Sequence, residues 1–296
     1  MMRIGLFFLT NLAIVFVASI TLSLLGVESY FQRNGINLDL LSLLLFCFVF
    51  GMSGALLSLC LSKWTAKRIT GAKVIQQPAN RAEQLLCQMV AQTARKAGIA
   101  TPEIAIIPVQ QANAFATGRS RNSALIGVSE GVLNRFNQDE IRAIVAHEIG
   151  HIVNGDMVTL ALLQGVLNTF VMFMARLIGH YVDRMVFKSE QGHGVGFYFV
   201  TFISEIILGV LAAAIVAWFS RRREFRADVV GARLGSYNGM ISALARLRVE
   251  SKLPNQLPDK VIVFGITSGS SKLAALFASH PSLDERINYL EQLQNR

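Results

Sequence analysis

Residues 146–156 read Ala146-His147-Glu148-Ile149-Gly150-His151-Ile152-Val153-Asn154-Gly155-Asp156, or AHEIGHIVNGD. Positions i and i+4 of a helix lie one turn apart on the same face, so both imidazoles of this H-E-x-x-H string can meet one metal ion. Glu148, three residues before His151, can then reach a water on that ion without ligating it. Immediately beyond Asp156 the chain turns apolar for about 23 residues, enough to cross a bilayer. A water-using site and a membrane span therefore adjoin, and how this stretch is read decides the fold.

The local signals make it a helix that stops and hands over. Asn137-Gln138-Asp139-Glu140 predicts a helix start, with Asn137 as N-cap and Glu140 reaching back as in a capping box. Ile141, Ile144, Val145, Ile149 and Ile152 supply an apolar surface at helical spacing. The helix should end near Asn154-Gly155, and Asp156 can cap the next one, whose body is Met157 to Gly179. Two histidines on an ordinary core helix is the plainer reading. It must still account for a glutamate between them in a chain with only 5 histidines.

Working outward, the 296-residue chain is 52% hydrophobic and only 16% charged, against about 25% charged for an ordinary soluble domain. With a mean hydropathy of +0.45, this indicates an integral membrane protein that still carries a soluble part. Apolar runs fall at 4–27, 38–62, 157–179 and 196–219. The first exceeds a signal-peptide core and suits a retained anchor. Lys63, Lys67, Arg68 and Lys73 follow the second run, and Arg221, Arg222 and Arg223 close the fourth. The positive-inside rule then places both the N-terminus and the chain that follows residue 62 in the cytoplasm. Cys47, Cys60 and Cys87 form no paired framework. The net charge of +9 reads as topology and lipid contact, and no aromatic–basic stacking pattern supports nucleic acid.

The expected organisation is an N-terminal transmembrane hairpin (1–62), a soluble part bearing the HEIGH helix (63–156), a second hairpin (157–219) and a second soluble part (220–296). Within 63–156, Pro78-Ala79-Asn80 opens a helix that stops at Gly98, and Ile104 to Val109 reads as a strand. Residues 113–117 and 124–128 flank the turn GRSRNS as a hairpin. Further helices are expected around 224–250 and 283–294.

A catalytic zinc usually takes three protein ligands and keeps one position for water. His180 and His193 fall on the far side if the second hairpin crosses, Glu205 lies inside an apolar run, and a cap role explains Asp156. Glu224 and Asp228 remain, four apart and on one helical face. Glu224 could ligate while Asp228 accepts the N–H of a ligating imidazole. The competing reading is an exposed charged helix start, with Glu224 pairing Arg221 or Arg222. An in–out–in hairpin favours the former, because it returns Glu224 to the leaflet that His151 left. Arg176 and Glu205 could pair across the hairpin, or Arg176 could snorkel.

Four motifs together, NAFATG (113–118), HEIGHIVNGDMVTL (147–160), RRREFRAD (221–228) and SHPSLDERI (279–287), are highly specific. On them the chain resembles the bacterial membrane zinc metalloproteases of the peptidase family that includes the CAAX prenyl endoproteases. The resemblance implies a mostly helical α+β zincin-like domain with a small sheet, combined with about four transmembrane helices in two hairpins. It implies one Zn²⁺ per chain held by His147, His151 and Glu224, with Glu148 as catalytic base and Asp228 supporting a ligand. His280, before Pro281, becomes a donor to the developing oxyanion. Arg286 either supports the transition state or makes a surface salt bridge with Asp284 or Glu285. Asn113, Ala114, Phe115 and Ala116, through Thr117, would offer a strand edge to an unfolded peptide. The implied substrates are misfolded membrane proteins or their cytoplasmic segments, as in stress response and quality control, with the bilayer and other membrane quality-control proteases as partners. Rival readings are a membrane scaffold with a structural zinc, a CAAX-type processing enzyme, and a protease cutting inside the bilayer.

Overall fold

The computed structural model describes residues 38–189, 194–251 and 280–295, with Ile20, Leu24, Gly26, Ser29, Arg33 and Ala278 as single positions. The first expected span, 4–27, thus lies outside the described residues but for three of its positions. The described helices are α1 (Leu40–Thr70), α2 (Arg81–Lys96), α3 (Glu130–Arg135), α4 (Gln138–Asn154), α5 (Asp156–Met185), α6 (Val195–Leu234), α7 (Tyr237–Glu250) and α8 (Leu283–Gln294). The strands are β1 (Lys73–Val74), β2 (Glu103–Ile107), β3 (Ala114–Ser120) and β4 (Ser123–Ser129). Among the described residues, α1, α5 and α6 are the three helices long and apolar enough to cross a membrane.

Polar caps set the ends of the helices that matter for the site. The Asn137 side chain accepts from the Glu140 N–H while Glu140 accepts from Asn137, which closes the capping box of α4. Gly155 ends α4 in the left-handed region at φ 71, a conformation that costs a residue with a Cβ. Ser282 and Glu285 form a second capping box on α8. The expected helix at 224–250 proves to be two pieces. Residues 224–234 complete the 40-residue α6, and Ser236 caps a separate α7. The apolar run 196–219 and the RRREFRAD motif therefore share one unbroken helix.

The chain divides into two compact units. One comprises Ser58–Leu160 with the described residues from Val216 onward. Its four-stranded mixed sheet has the order β1-β2-β4-β3, with β2 and β4 parallel and β3 antiparallel to β4. The hairpin is tighter than GRSRNS suggests, since Ser120 pairs Ser123 across a two-residue turn. Residues of β4 alternate between two cores. Ile126 and Val128 join Val90, Val145, Ile149, Leu244 and Leu290, whereas Leu125 joins Ala66, Ala105, Ile107 and Phe115. Each fully buried Ile, Leu or Val contributes roughly 1.5–3 kcal/mol of transfer free energy, which holds α4 rigidly in the middle of the larger core.

The other unit comprises the described residues up to Leu57 and Ala161–Ile215. Leu40, Leu44 and Cys47 of α1 pack on Phe173 and Leu177 of α5. Gly51 sits so close to α5 that an added Cβ would lie 2.7 Å from Thr169 Oγ1, the small-residue contact typical of membrane helices. Arg176 Nη1 lies 3.2 Å from Glu205 Oε1, so these two residues pair. Tyr198, Phe199, Phe202, Ile206, Ile207 and Leu211 are exposed along α6.

Candidate metal centre

Two glycines bring the halves of the site together. A Cβ on Gly150 would lie 3.0 Å from the Ala227 carbonyl oxygen, and one on Gly231 would lie 3.0 Å from the His147 nitrogen. Residues without side chains at 150 and 231 thus let α4 and α6 touch along their backbones. HEIGH and EFRAD are thereby brought face to face.

At this seam His147 Nε2 and His151 Nε2 are 3.1 Å apart. Glu224 places Oε2 3.5 Å from the first and Oε1 3.4 Å from the second. These three residues form a group able to hold a metal ion. Ligand atoms about 2.0–2.1 Å from a tetrahedral ion are about 3.3 Å from one another, so the observed separations fit. Glu224 is 2% exposed, and its Oε2 has no hydrogen-bond partner. A buried carboxylate oxygen without a hydrogen bond is costly. Arg286 Nη1 at 3.5 Å offsets that only in part, so a cation held between the three ligand residues suits it. The donor set fits a metal on this ground.

Each imidazole is held from behind. Asp228 Oδ1 lies 2.9 Å from His147 Nδ1, and Asp156 Oδ2 lies 2.7 Å from His151 Nδ1. Donation from Nδ1–H fixes the tautomer that leaves Nε2 free for a ligand. Arg286 grips Asp228 with two bonds, Nε to Oδ2 at 2.7 Å and Nη2 to Oδ1 at 2.6 Å, and its Nη1 is 3.5 Å from Glu224 Oε2. Arg286 is 3% exposed. The surface alternative for it is therefore excluded, and Asp284 instead pairs with Arg248.

The electrostatics follow from this crowding. Burial works against the imidazolium of His151, but Glu224, Asp156 and Glu148 outweigh it and raise the pKa to about 10. His147 is raised likewise, with Asp228 and Glu224 overcoming burial. Burial would raise Glu224, yet His280 and His151 hold it well below the carboxylate range. Asp228 is lowered against its own burial by Arg286 and His147.

The remaining expected residues fall nearby. Glu148 is buried on α4, and its charge acts on both His151 and Arg286. His280 Nδ1 stands 2.8 Å from Glu224 Oε2 in a geometry too bent for a hydrogen bond. Ala114 to Ala116 lie on β3, an edge strand of the sheet, and Ala114 shares a core with Val145 and Ile149 of α4. Asn113 precedes the strand and is buried, its side-chain amide without a partner. His180 lies elsewhere, 4.6 Å from the Phe197 ring.

Sequence reasoning passed over Asp156 by giving it a cap role. The signal was present: a ligating imidazole needs an acceptor at Nδ1, and a left-handed glycine returns residue 156 toward the face that bears His151.

Comparison with known proteins agrees with this geometry. Residues 80–294 match the model of Peptidase family M48. The chain belongs to Peptidase family M48. It is 59% identical over 288 residues to Protease HtpX of Hahella chejuensis, covering 97% of this chain and 98% of that protein. It is 56% identical over 293 residues to Protease HtpX of Pseudomonas fluorescens, covering 99% of each. The crystal structure of S. mikatae Ste24p superposes with a TM-score of 0.62 at 17% identity, covering 94% of this chain and 67% of that one, which shows a shared fold. As an M48 member with membrane-length helices among its described residues, the chain is a transmembrane metalloprotease.

Proposed function

We propose that the protein is a zinc endopeptidase of the inner membrane, with its catalytic unit and both termini in the cytoplasm, that cleaves misfolded membrane proteins or their cytoplasmic segments. The observation that carries this reading is the set of ligand-atom separations, 3.1–3.5 Å among His147, His151 and Glu224, beside the buried carboxylate of Glu148. One Zn²⁺ held there supplies an acidified water and a Lewis acid for the scissile carbonyl. Glu148 takes the proton of the attacking water and passes it to the departing amine. His280 offers an N–H where negative charge develops, and Arg286 fixes the carboxylate behind His147. The outer edge of β3, led by Asn113 and running through Ala114, Phe115 and Ala116, receives an extended peptide by main-chain pairing. Such pairing ignores side-chain identity and so admits many unfolded substrates.

Glu148→Gln in purified protein is the test. Zinc content should persist while cleavage of an unfolded substrate disappears, and cleavage at the wild-type rate would end the assignment. A single accessible cysteine placed in 180–195 tests the topology, since labelling from the cytoplasmic side would contradict it.

A further inference from the structure

The three arginines at 221–223 are not equivalent. Arg222 is exposed and stacks 4.8 Å above the Trp218 ring, and Arg221 donates to the Ala278 carbonyl at 3.0 Å. Arg223 is 8% exposed. Its Nη1 donates to the Asp156 carbonyl at 3.2 Å and its Nη2 to Ser220 Oγ at 2.8 Å, while its Nε is buried without a partner. A guanidinium that only set topology would remain in water, because burying one with a donor unsatisfied is costly.

What Arg223 holds is the first residue of α5, and that residue's carboxylate stands 2.7 Å from His151 Nδ1. Arg223 is also the neighbour of Glu224 on α6. One side chain thus closes a circuit from the second histidine, through Asp156, back to the third ligand. We propose that Arg223 is a positioning residue for the metal centre: it pins the Asp156 backbone to α6 so that the Asp156 carboxylate keeps His151 turned toward the ion. Lysine cannot replace it, since one ammonium does not span the fixed fork that reaches a carbonyl and a hydroxyl together. The inference rests on the zinc reading above.

Zinc affinity by chelator competition, on the full chain in detergent, tests it with no assay of activity. Arg223→Gln should weaken binding by up to about 10–100-fold, the loss that follows when the acceptor behind a ligating imidazole is itself removed. Arg222→Gln removes the same charge one residue away and should leave affinity unchanged. In an Asp156→Asn background Arg223→Gln should add little, because both act through one contact. Arg223→Lys should stay weak despite its charge. The cobalt-substituted Arg223→Gln protein should show an altered visible spectrum, which a general loss of stability does not produce. If Arg223→Gln fails to fold, Ser220→Ala removes one limb and should weaken zinc in the same direction. Wild-type affinity in Arg223→Gln, an equal loss in Arg222→Gln, or full additivity with Asp156→Asn overturns the inference and leaves the protease reading standing. A wild-type chain that binds no zinc removes that reading, and this inference with it.

Discussion

The two histidines of the centre are supported in different ways. Behind His147 stands Asp228, fully buried and gripped by two hydrogen bonds from Arg286. All three residues come from separate helices. Behind His151 stands Asp156, five residues along the chain, and Arg223 reaches its carbonyl rather than its carboxylate. The first support is a neutralised pair that ties α4, α6 and α8 together. The second leaves its carboxylate to the imidazole. Fold stability should therefore depend on the first support, while metal affinity should depend on both.

The largest effect is expected at Asp228. Asp228→Ala leaves the guanidinium of Arg286, 3% exposed, without its bidentate partner. Stranding a buried charge costs about 3–5 kcal/mol, so the melting temperature should fall sharply even in metal-free protein. Adding Arg286→Met should recover part of that loss. A double variant no more stable than Asp228→Ala would mean that the pair is not what ties the helices.

Asp156→Asn should separate the two supports. It keeps the shape and the carbonyl that Arg223 holds, but replaces the charged acceptor of His151 Nδ1. Zinc affinity should drop by about 10–100-fold, while the metal-free melting temperature falls less than in Asp228→Ala. The amide oxygen still accepts from His151 Nδ1, and only part of what raises the His151 pKa is lost. A melting loss as large as that of Asp228→Ala would erase the distinction between the supports.

Much of this was legible from the sequence, for identifiable reasons. Capping residues and a left-handed glycine are local signals, so the limits of α4 and the start of α8 could be read directly. The i, i+4 rule places His147 with His151, and Glu224 with Asp228, because helical faces are periodic. What periodicity cannot report is which faces meet. The contact of Gly150 with Ala227, and of Gly231 with His147, is a matter of tertiary distance, and both glycines are unremarkable in the string. The continuity of α6 through Leu234 was hidden by the abrupt change from apolar to charged composition at Arg221. A helix backbone does not register that change. Asp156 was hidden because its place in the string suggests a cap. Gly155 takes the cap position instead, its carbonyl accepting from the Thr159 N–H, and the Asp156 carboxylate serves His151.

The pH dependence of the metal-free protein should show the same crowding of carboxylates. The folded pKa of His151 is raised to about 10 from 6.5, and that of His147 is raised too. A raised folded pKa gives stability that is complete below the unfolded value and is lost as pH climbs through the folded one. Metal-stripped protein should therefore melt at progressively lower temperature from about pH 7 to pH 10. The zinc-loaded form should not follow this slope, because its imidazoles must already be deprotonated to bind. Zinc binding at pH 7.5 should release protons, seen calorimetrically as a heat that changes with buffer ionisation enthalpy. Equal heats in all buffers would contradict the raised values.

The smallest effect is expected two residues from Arg286 on the same helix. Asp284 pairs with Arg248 of α7, but their side chains are 65% and 49% exposed. Water and salt screen such a pair, and exposed pairs are typically worth about 0–1 kcal/mol. Arg248→Ala should therefore shift the melting temperature only slightly, less in high salt, and leave zinc affinity where it was. Asp284 and Arg286 face opposite sides of α8, so this variant probes whether α7–α8 docking as a whole, rather than the Arg286–Asp228 grip, governs the centre. If Arg248→Ala weakened zinc as much as Asp156→Asn does, docking would govern it, and the contrast between the two histidine supports would lose its basis.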